Sequence, residues 1–451
     1  MTQSLRKPEL LAPAGSLQHL KMAVDYGADA VYAGIPRWSL RVRGNGFSRE
    51  DFAAGISYAH EHGRKFFAVL NVIPHMRRVN AFDDSLHEVA ALKPDAFIMA
   101  DPGLIDRAIE LYPDIPVHLS VQANTVNAGT VKFWQKIGVK RCILARELSL
   151  SEIAMMREAC PDMELEVFIH GALCIAVSGR CLISGLLARR DANLGACNNS
   201  CRWNYRTKNL NLVDGTGAHA AGLKDEHIEF APSASPLDQR DLPSLYAEIE
   251  ETSRRQGEWM PLEEDEHGSY LMNSKDLCAL PVLKELMELG VDSLKIEGRS
   301  RSPFYAGGIS RAYRLAIDAL ASGQPIPEES YTIVGSIPAR GYTTALLEAH
   351  KPNETQDYAT NAPSPGKWQV VGQILSQDEQ GDLYIKVKNR FARDNKILVY
   401  TPQGPLSLDG STLRDKNGHL TDLAPGDGYY VYLSCPQQLD LDTAVLLRDD
   451  S

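Results

Sequence analysis

Short apolar runs alternate with amphipathic stretches from about residue 8 to residue 170. Glu9–Ala12, Ala30–Ala33, Lys65–Asn71, Ala96–Met99, Val117–Val121, Arg141–Leu144 and Glu164–Ile169 have the length and composition of strands. Leu17–Tyr26, Ser48–His62, Phe82–Leu92, Gly103–Leu111, Val126–Ile137 and Ser149–Cys160 carry apolar residues at helical spacing. Ser149 and Ser151 stand where an N-cap belongs, and Tyr26-Gly27 and Ile137-Gly138 read as helix ends. Short apolar strands joined by helices predict a parallel sheet buried on both faces.

After a long interruption, Leu280–Leu289 predicts a further helix, Ser293–Ile296 an eighth strand and Pro303–Leu320 the helix that follows it. Eight strands with eight helices is the count of an α/β fold of the (β/α)8 TIM-like barrel type. A doubly wound open sheet is the alternative that periodicity leaves open. The interruption, about residues 171–272, contains clustered cysteines and then a polar, acidic stretch around Lys224–His267. An insertion of that length after a strand is expected to be functional. Residues 1–325 therefore predict a barrel with a cysteine-rich insertion, and 326–366 a linker rich in Pro, Asn and Thr. Residues 367–451 predict a small C-terminal all-β barrel domain, from runs such as WQVVGQIL, LYIKVKN and GYYVYLSC.

The chain has 451 residues and 44% hydrophobic content, enough to bury its cores without covalent help. The start, MTQSLRKPELLAPAG, lacks the apolar centre of a signal peptide. No apolar run reaches the ~20 residues of a membrane span. A cytoplasmic protein with no membrane partner is the expectation. A net charge of −11 argues against a whole-surface polyanion binder but leaves room for a local basic face.

Four of the eight cysteines fall in one short segment, Cys174-x6-Cys181-x15-Cys197-x3-Cys201. Thiolates are soft ligands that suit zinc or iron–sulfur clusters. Zinc ribbons favour two close pairs, whereas wide, uneven spacing suits a bulkier 4Fe–4S cluster. Zinc and unligated buried thiols remain alternatives, with a disulfide less favoured in this compartment.

Between Arg180 and Lys208 six basic residues meet one acid, Asp191, with Trp203 and Tyr205 interleaved. An acid-free stretch after the second strand holds Arg37, Arg41, Arg43 and Arg49 with Trp38 and Phe47. Arg77, Arg78, Arg146, Arg299 and Arg301 also follow strands. Post-strand segments of a barrel converge on one rim, so an acidic protein is expected to carry one positive, anion-binding mouth. Any one of these arginines alone is more simply a surface ion pair. Polar residues at strand ends, among them Glu9, Asn71, Gln122 and His170, are further candidates. Strand alternation would put Lys295, Glu297 and Arg299 on one side, either as catalytic groups or as a satisfied ion-pair network. His170 is a candidate proton donor, with an ordinary hydrogen-bonded histidine as the alternative. No nucleophile elbow, phosphate loop or dinucleotide fingerprint stands in a convincing context.

EVFIHGALC (166–174) and SGRCLIS (178–184) closely resemble the collagenase-like peptidase family of unassigned mechanism, with support from ELLAPAGS, YGADAVYAG, HLSVQAN and SLKIEGRSRS. RWSLRVRGNGF, DPGLI, CNNSCRW, YLMNSKDL and APGDGY resemble the branch of that family that hydroxylates tRNA. The resemblance implies a 4Fe–4S enzyme that hydroxylates the wobble uridine of tRNA at carbon 5, with prephenate rather than dioxygen as hydroxyl donor. Its partners would be tRNA, prephenate and iron–sulfur assembly proteins. The cluster ligands carry over to Cys174, Cys181, Cys197 and Cys201, with Cys278, on the face of the predicted helix, as the alternative fourth thiolate. His170, Lys295 and Glu297 are the candidate catalytic residues. Arg41, Arg43, Gln122 and Arg299 are the candidate substrate-binding residues. The β domain looks like those attached to translation factors, and tRNA docking is expected of it. A protease, as the family name has it, and a non-catalytic metal protein that binds RNA are the competing functions.

Overall fold

The structure, a computed structural model, describes residues 5–39, 47–74, 76–172, 275–339, 341–348 and 366–450, together with the backbone of four strands between 205 and 271. Eight parallel strands close on themselves. They are β1 (Glu9–Ala14), β2 (Ala30–Gly34), β3 (Lys65–Leu70), β4 (Ala96–Met99), β5 (Val117–Leu119), β6 (Arg141–Ile143), β7 (Glu164–Gly171) and β13 (Ser293–Ile296). β13 pairs with β1 on one side and with β7 on the other, which excludes the open-sheet alternative. β2 is buried at every position, and β1 at all but its first residue, as strands between a filled interior and a helical layer must be.

Helices alternate with the strands, most of them close to where periodicity puts them: α1 (Leu17–Asp25), α2 (Arg49–Glu61), α3 (Met76–Val79), α4 (Phe82–Ala90), α5 (Pro102–Leu111), α6 (Ala128–Ile137), α7 (Leu150–Ala159), α8 (Leu283–Glu288) and α9 (Pro303–Ala321). Ser149 is the N-cap of α7 and forms a capping box with Glu152, while Ser151 lies inside the helix. Gly138 ends α6 with φ at 105°, a conformation that costs a residue with a Cβ about 1–2 kcal/mol.

The insertion leaves at the end of β7 and returns at β12 (Asp276–Cys278). β12 runs antiparallel to β7 and sets Leu277 opposite Gly171 and Cys278 opposite His170. The two ends of the insertion are thus stapled together at the C-terminal rim of the barrel. Within it lies an antiparallel four-stranded sheet, β8 (Tyr205–Val213), β9 (Ser244–Glu251), β10 (Trp259–Asp265) and β11 (Gly268–Leu271). The polar, acidic reading of this stretch did not anticipate those strands.

The stretch expected to be linker, 326–366, begins differently. Glu328–Ser336 is a helix, α10, whose Ile333 and Val334 join the barrel core, as does Ile337 just beyond it. The C-terminal domain is a seven-stranded antiparallel half-barrel with its own core, including Val371, Leu383, Ile385, Val399, Leu433 and Leu446. Trp368, Leu398, Tyr400 and Leu447 join the barrel core instead, and the Tyr26 hydroxyl donates to the Tyr400 and Thr443 carbonyls at 2.9 Å. No helix among the described residues is long and apolar enough to cross a membrane.

Candidate functional site at the C-terminal rim of the barrel

Inside the barrel, charge is neutralised in a closed set. Arg141, at the first position of β6, reaches Glu9 at 2.6 Å, Glu164 at 2.8 Å and Glu166 at 3.0 Å. Lys295 on β13 meets the other oxygen of Glu166 at 2.8 Å. Burial alone would raise the Glu166 carboxyl. Lys295 and Arg141 outweigh that and hold it below the usual range, so it is ionised. Burial lowers Lys295, with Glu166 opposing. For Lys295 the structure therefore realises the ion-pair network rather than an exposed catalytic amine. Glu9 begins β1, so it lies at the N-terminal end of the barrel, opposite the rim.

At the rim the partners change. The Lys295 ammonium lies 4.2 Å from the centre of the Tyr32 ring, and the Arg299 guanidinium carbon lies 5.8 Å from the same centre. Arg299 donates from Nη1 to the Ser39 hydroxyl at 2.6 Å. Gly34 makes this contact possible, because a Cβ there would stand 2.5 Å from both the Arg299 nitrogen and the Ser39 oxygen. Glu297 takes a hydrogen bond from Arg146 at 3.4 Å, and Arg146 stacks on Phe168 at 3.9 Å. Gly171 has φ at 108°, and a Cβ there would meet the Glu297 carbonyl oxygen at 2.3 Å. The end of β7 and the segment after β13 are thus pressed together where the insertion departs.

Lys295, Glu297 and Arg299 are therefore brought to one end of the barrel, as alternation predicts, and all three are buried. A hydroxyl, an aromatic face and a glycine lie against the Arg299 fork. A guanidinium is the side chain suited to taking a carboxylate or phosphate bidentately. Tyr32, Gly34 and Ser39 were missed in the sequence. The available signal was Tyr32 and Gly34 at alternate positions of a strand that ends in an arginine-rich loop.

His170 is a correction. Strand alternation would keep it on the Glu166 side, but the β7–β13 register shifts between Lys295 and Ile296. It sits instead among the rings of Tyr305, Tyr313 and Tyr342, with Nδ1 at 3.3 Å from the Tyr313 hydroxyl. Burial pushes its pKa down to about 3, so at neutral pH it has no proton to give as an imidazolium. Trp38 and Phe47 are core residues, packed against Phe82 and Phe52.

Gln122 lies on a 3₁₀ turn after β5, half-buried at the rim. Asn124 beside it is left-handed, with φ at 52°, and its buried side-chain oxygen finds no hydrogen-bond partner among the described residues. Arg41, Arg43 and the four clustered cysteines, Cys174, Cys181, Cys197 and Cys201, lie outside the described residues. Only Ala172 and Leu173 separate Cys174 from the end of β7, so the chain itself ties the thiol segment to this rim. The alternative ligand Cys278 lies on β12 rather than on a helix. It is buried against the Tyr313 hydroxyl at 3.8 Å, and burial raises its thiol, a poor setting for a ligating thiolate.

The model of Peptidase family U32 matches residues 15–357 and that of the Peptidase family U32 C-terminal domain matches residues 366–448. The tRNA hydroxylation protein P of Escherichia coli is 43% identical over 447 residues, covering 99% of this chain and 97% of its own. The protein of the same name from Haemophilus influenzae is 42% identical over 98% of this chain and 96% of its own. The 23S rRNA 5-hydroxycytidine C2501 synthase of Escherichia coli is 31% identical over 71% of this chain and 41% of its own length. Matched in both of its domains and aligned almost end to end with these relatives, the chain belongs to peptidase family U32.

Proposed function

We propose that this chain is a tRNA hydroxylase that converts the wobble uridine to 5-hydroxyuridine, working at the C-terminal rim of its barrel. The observation that carries the reading is the full-length likeness to proteins named for tRNA hydroxylation. The rRNA relative is named for a hydroxyl on carbon 5 of a pyrimidine, the position proposed here. A tRNA substrate fits a cytoplasmic protein.

The four clustered thiols have the donor chemistry of a 4Fe–4S site, and Cys174, Cys181, Cys197 and Cys201 would hold the cluster. When bound, it would supply redox and Lewis-acid capacity at the mouth, and assembly proteins would deliver it. The rest of the work belongs to the chain. Arg299, set by Ser39, Tyr32 and Gly34, presents a fork to a carboxylate of prephenate, the proposed hydroxyl donor. Arg146, braced by Phe168 and Glu297, offers a second cation on the same rim, and Arg41, Arg43 and Gln122 are proposed to complete the anion and base contacts. An unstacked anticodon base would enter from above, as reactions on bases require.

Peptide hydrolysis has weaker support. Ser16 and His19 touch at 2.7 Å, but Ser16 caps α1 and the far ring nitrogen of His19 meets the Arg301 carbonyl, so no carboxylate orients the imidazole. Anaerobically purified protein, incubated with unmodified tRNA and prephenate, is expected to yield 5-hydroxyuridine by mass spectrometry of nucleosides. Product formed without prephenate would remove it as donor. Colourless protein carrying one zinc would remove the cluster.

A further inference from the structure

The outer face of the C-terminal half-barrel displays aromatic rings that neither hydrophobic core uses. Strand β16 (Asp382–Val387) buries Leu383, Ile385 and Val387 and turns Tyr384 and Lys386 outward. Strand β22 (Tyr430–Ser434) buries Val431 and Leu433 and turns Tyr430 and Tyr432 outward. The register sets Tyr384 opposite Tyr432 and Lys386 opposite Tyr430, with Arg414 flanking Tyr432 on the next strand. The Tyr384 ring centre lies 5.5 Å from that of Tyr430, nearly parallel at 19°, and 5.0 Å from that of Tyr432. Tyr429, just before β22, is 55% exposed.

Charge is unevenly spread along this face. At the Asp382 end, Arg414 and Ser434 occupy the carboxylate. At the other end Lys386, Lys388 and Arg390 succeed one another along β16 and its exit, and their side chains form no ion pair among the described residues. A cross-strand aromatic pair stabilises a sheet modestly. That role does not explain three phenols on a solvent face with unneutralised cations gathered at one edge, in a protein whose net charge is −11. Flat rings beside lysine and arginine are what an unpaired RNA strand requires: stacking for its bases and cations for its phosphates.

We propose that Tyr384, Tyr430 and Tyr432 form a stacking platform for unpaired bases of the tRNA, with Lys386, Lys388 and Arg390 taking adjacent phosphates. The proposal rests on the tRNA reading above and adds a second contact surface, outside the barrel rim. It also explains why a hydroxylase keeps a β domain that supplies none of the rim residues.

Fluorescence anisotropy of an in vitro transcribed tRNA with an unmodified wobble uridine, titrated with the full-length chain at several salt concentrations, tests it. The Tyr384→Ala/Tyr432→Ala pair is expected to weaken binding about tenfold or more, and the Tyr384→Phe/Tyr432→Phe pair to stay within about twofold, because stacking needs the ring and not the hydroxyl. Lys386→Ser/Lys388→Ser is expected to reduce the slope of log affinity against log salt by about 1.4. An alanine pair with unchanged melting and wild-type affinity overturns the platform and leaves the tRNA reading standing. A wild-type chain with no affinity for tRNA overturns both. An alanine pair that keeps its tRNA affinity but loses a co-purifying protein marks a protein-docking face, which also overturns the proposal. If the alanine pair does not fold, photocrosslinking of the wild-type chain to 4-thiouridine-substituted tRNA decides. Crosslinks at 384–390 or 429–432 support the platform, and crosslinks confined to the barrel overturn it.

Discussion

The two ends of this barrel use arginine in opposite ways. At the N-terminal end Arg141 is 5% exposed and shared among three carboxylates, and Lys65 closes the set on Glu9 at 3.0 Å. At the C-terminal end Arg299 rests on a hydroxyl, a tyrosine face and a glycine, and Arg146 lies flat on Phe168. The first arrangement satisfies charge within the fold. The second seats charge on a hydroxyl and on aromatic faces at the rim, with Glu297 against Arg146. Arg141 and Arg299 are both buried, and the identity of their partners separates them.

The sharpest way to break this comparison is at the N-terminal end. Arg141→Met would remove one of the two cations on the buried Glu166 and leave it Lys295 alone, at a cost of about 3 kcal/mol. Denaturant unfolding should show that loss, while the folded fraction keeps its kcat/KM. A stable Arg141→Met chain with impaired turnover would reverse the roles assigned to the two ends.

Gly34→Ala is the matching test at the rim. The new Cβ would displace Arg299 or Ser39, and a misplacement of about 1 Å is expected to cost about a hundredfold in kcat/KM. The circular dichroism spectrum should be unchanged. Undiminished turnover in this variant would show that Arg299 is not held for catalysis.

His170 provides a smaller, pH-dependent effect. Its folded pKa, about 3, lies below the unfolded value of 6.5. Its contribution to stability is therefore present above pH 6.5 and lost as pH falls toward 3. Between pH 7 and pH 5 the wild-type chain should lose about 2 kcal/mol more than His170→Gln, measured by urea unfolding at each pH. Equal losses would mean that the tyrosine enclosure admits the charged ring.

The barrel was legible in the sequence because its strands are apolar on both faces and its helices carry stripes, so even Ser149 as a cap and Gly138 as an end could be read. Where tertiary contact overrides local pattern, legibility ended. β12 is three residues long and is a strand only because β7 is there to pair with it. The Glu328–Ser336 helix is short, Pro-preceded and partly β-branched, so it resembled linker until packing made it helical. His170 is carried into its tyrosine enclosure by a single register shift, which alternation cannot foresee. The arginines of the rim were visible as residue types, but Ser39, Gly34 and Tyr32 acquire their roles only through a contact with Arg299 across some 260 positions of chain.

The most direct test of the account is the 5-hydroxyuridine content of bulk tRNA from a deletion strain with no second route to that nucleoside, complemented with the wild-type chain or with Arg299→Lys. Wild type should restore the nucleoside. Arg299→Lys, expressed and folded to the same level, should not, because an ammonium keeps the charge but loses the fork. Unchanged 5-hydroxyuridine in the uncomplemented deletion strain, or full restoration by Arg299→Lys, would contradict the account.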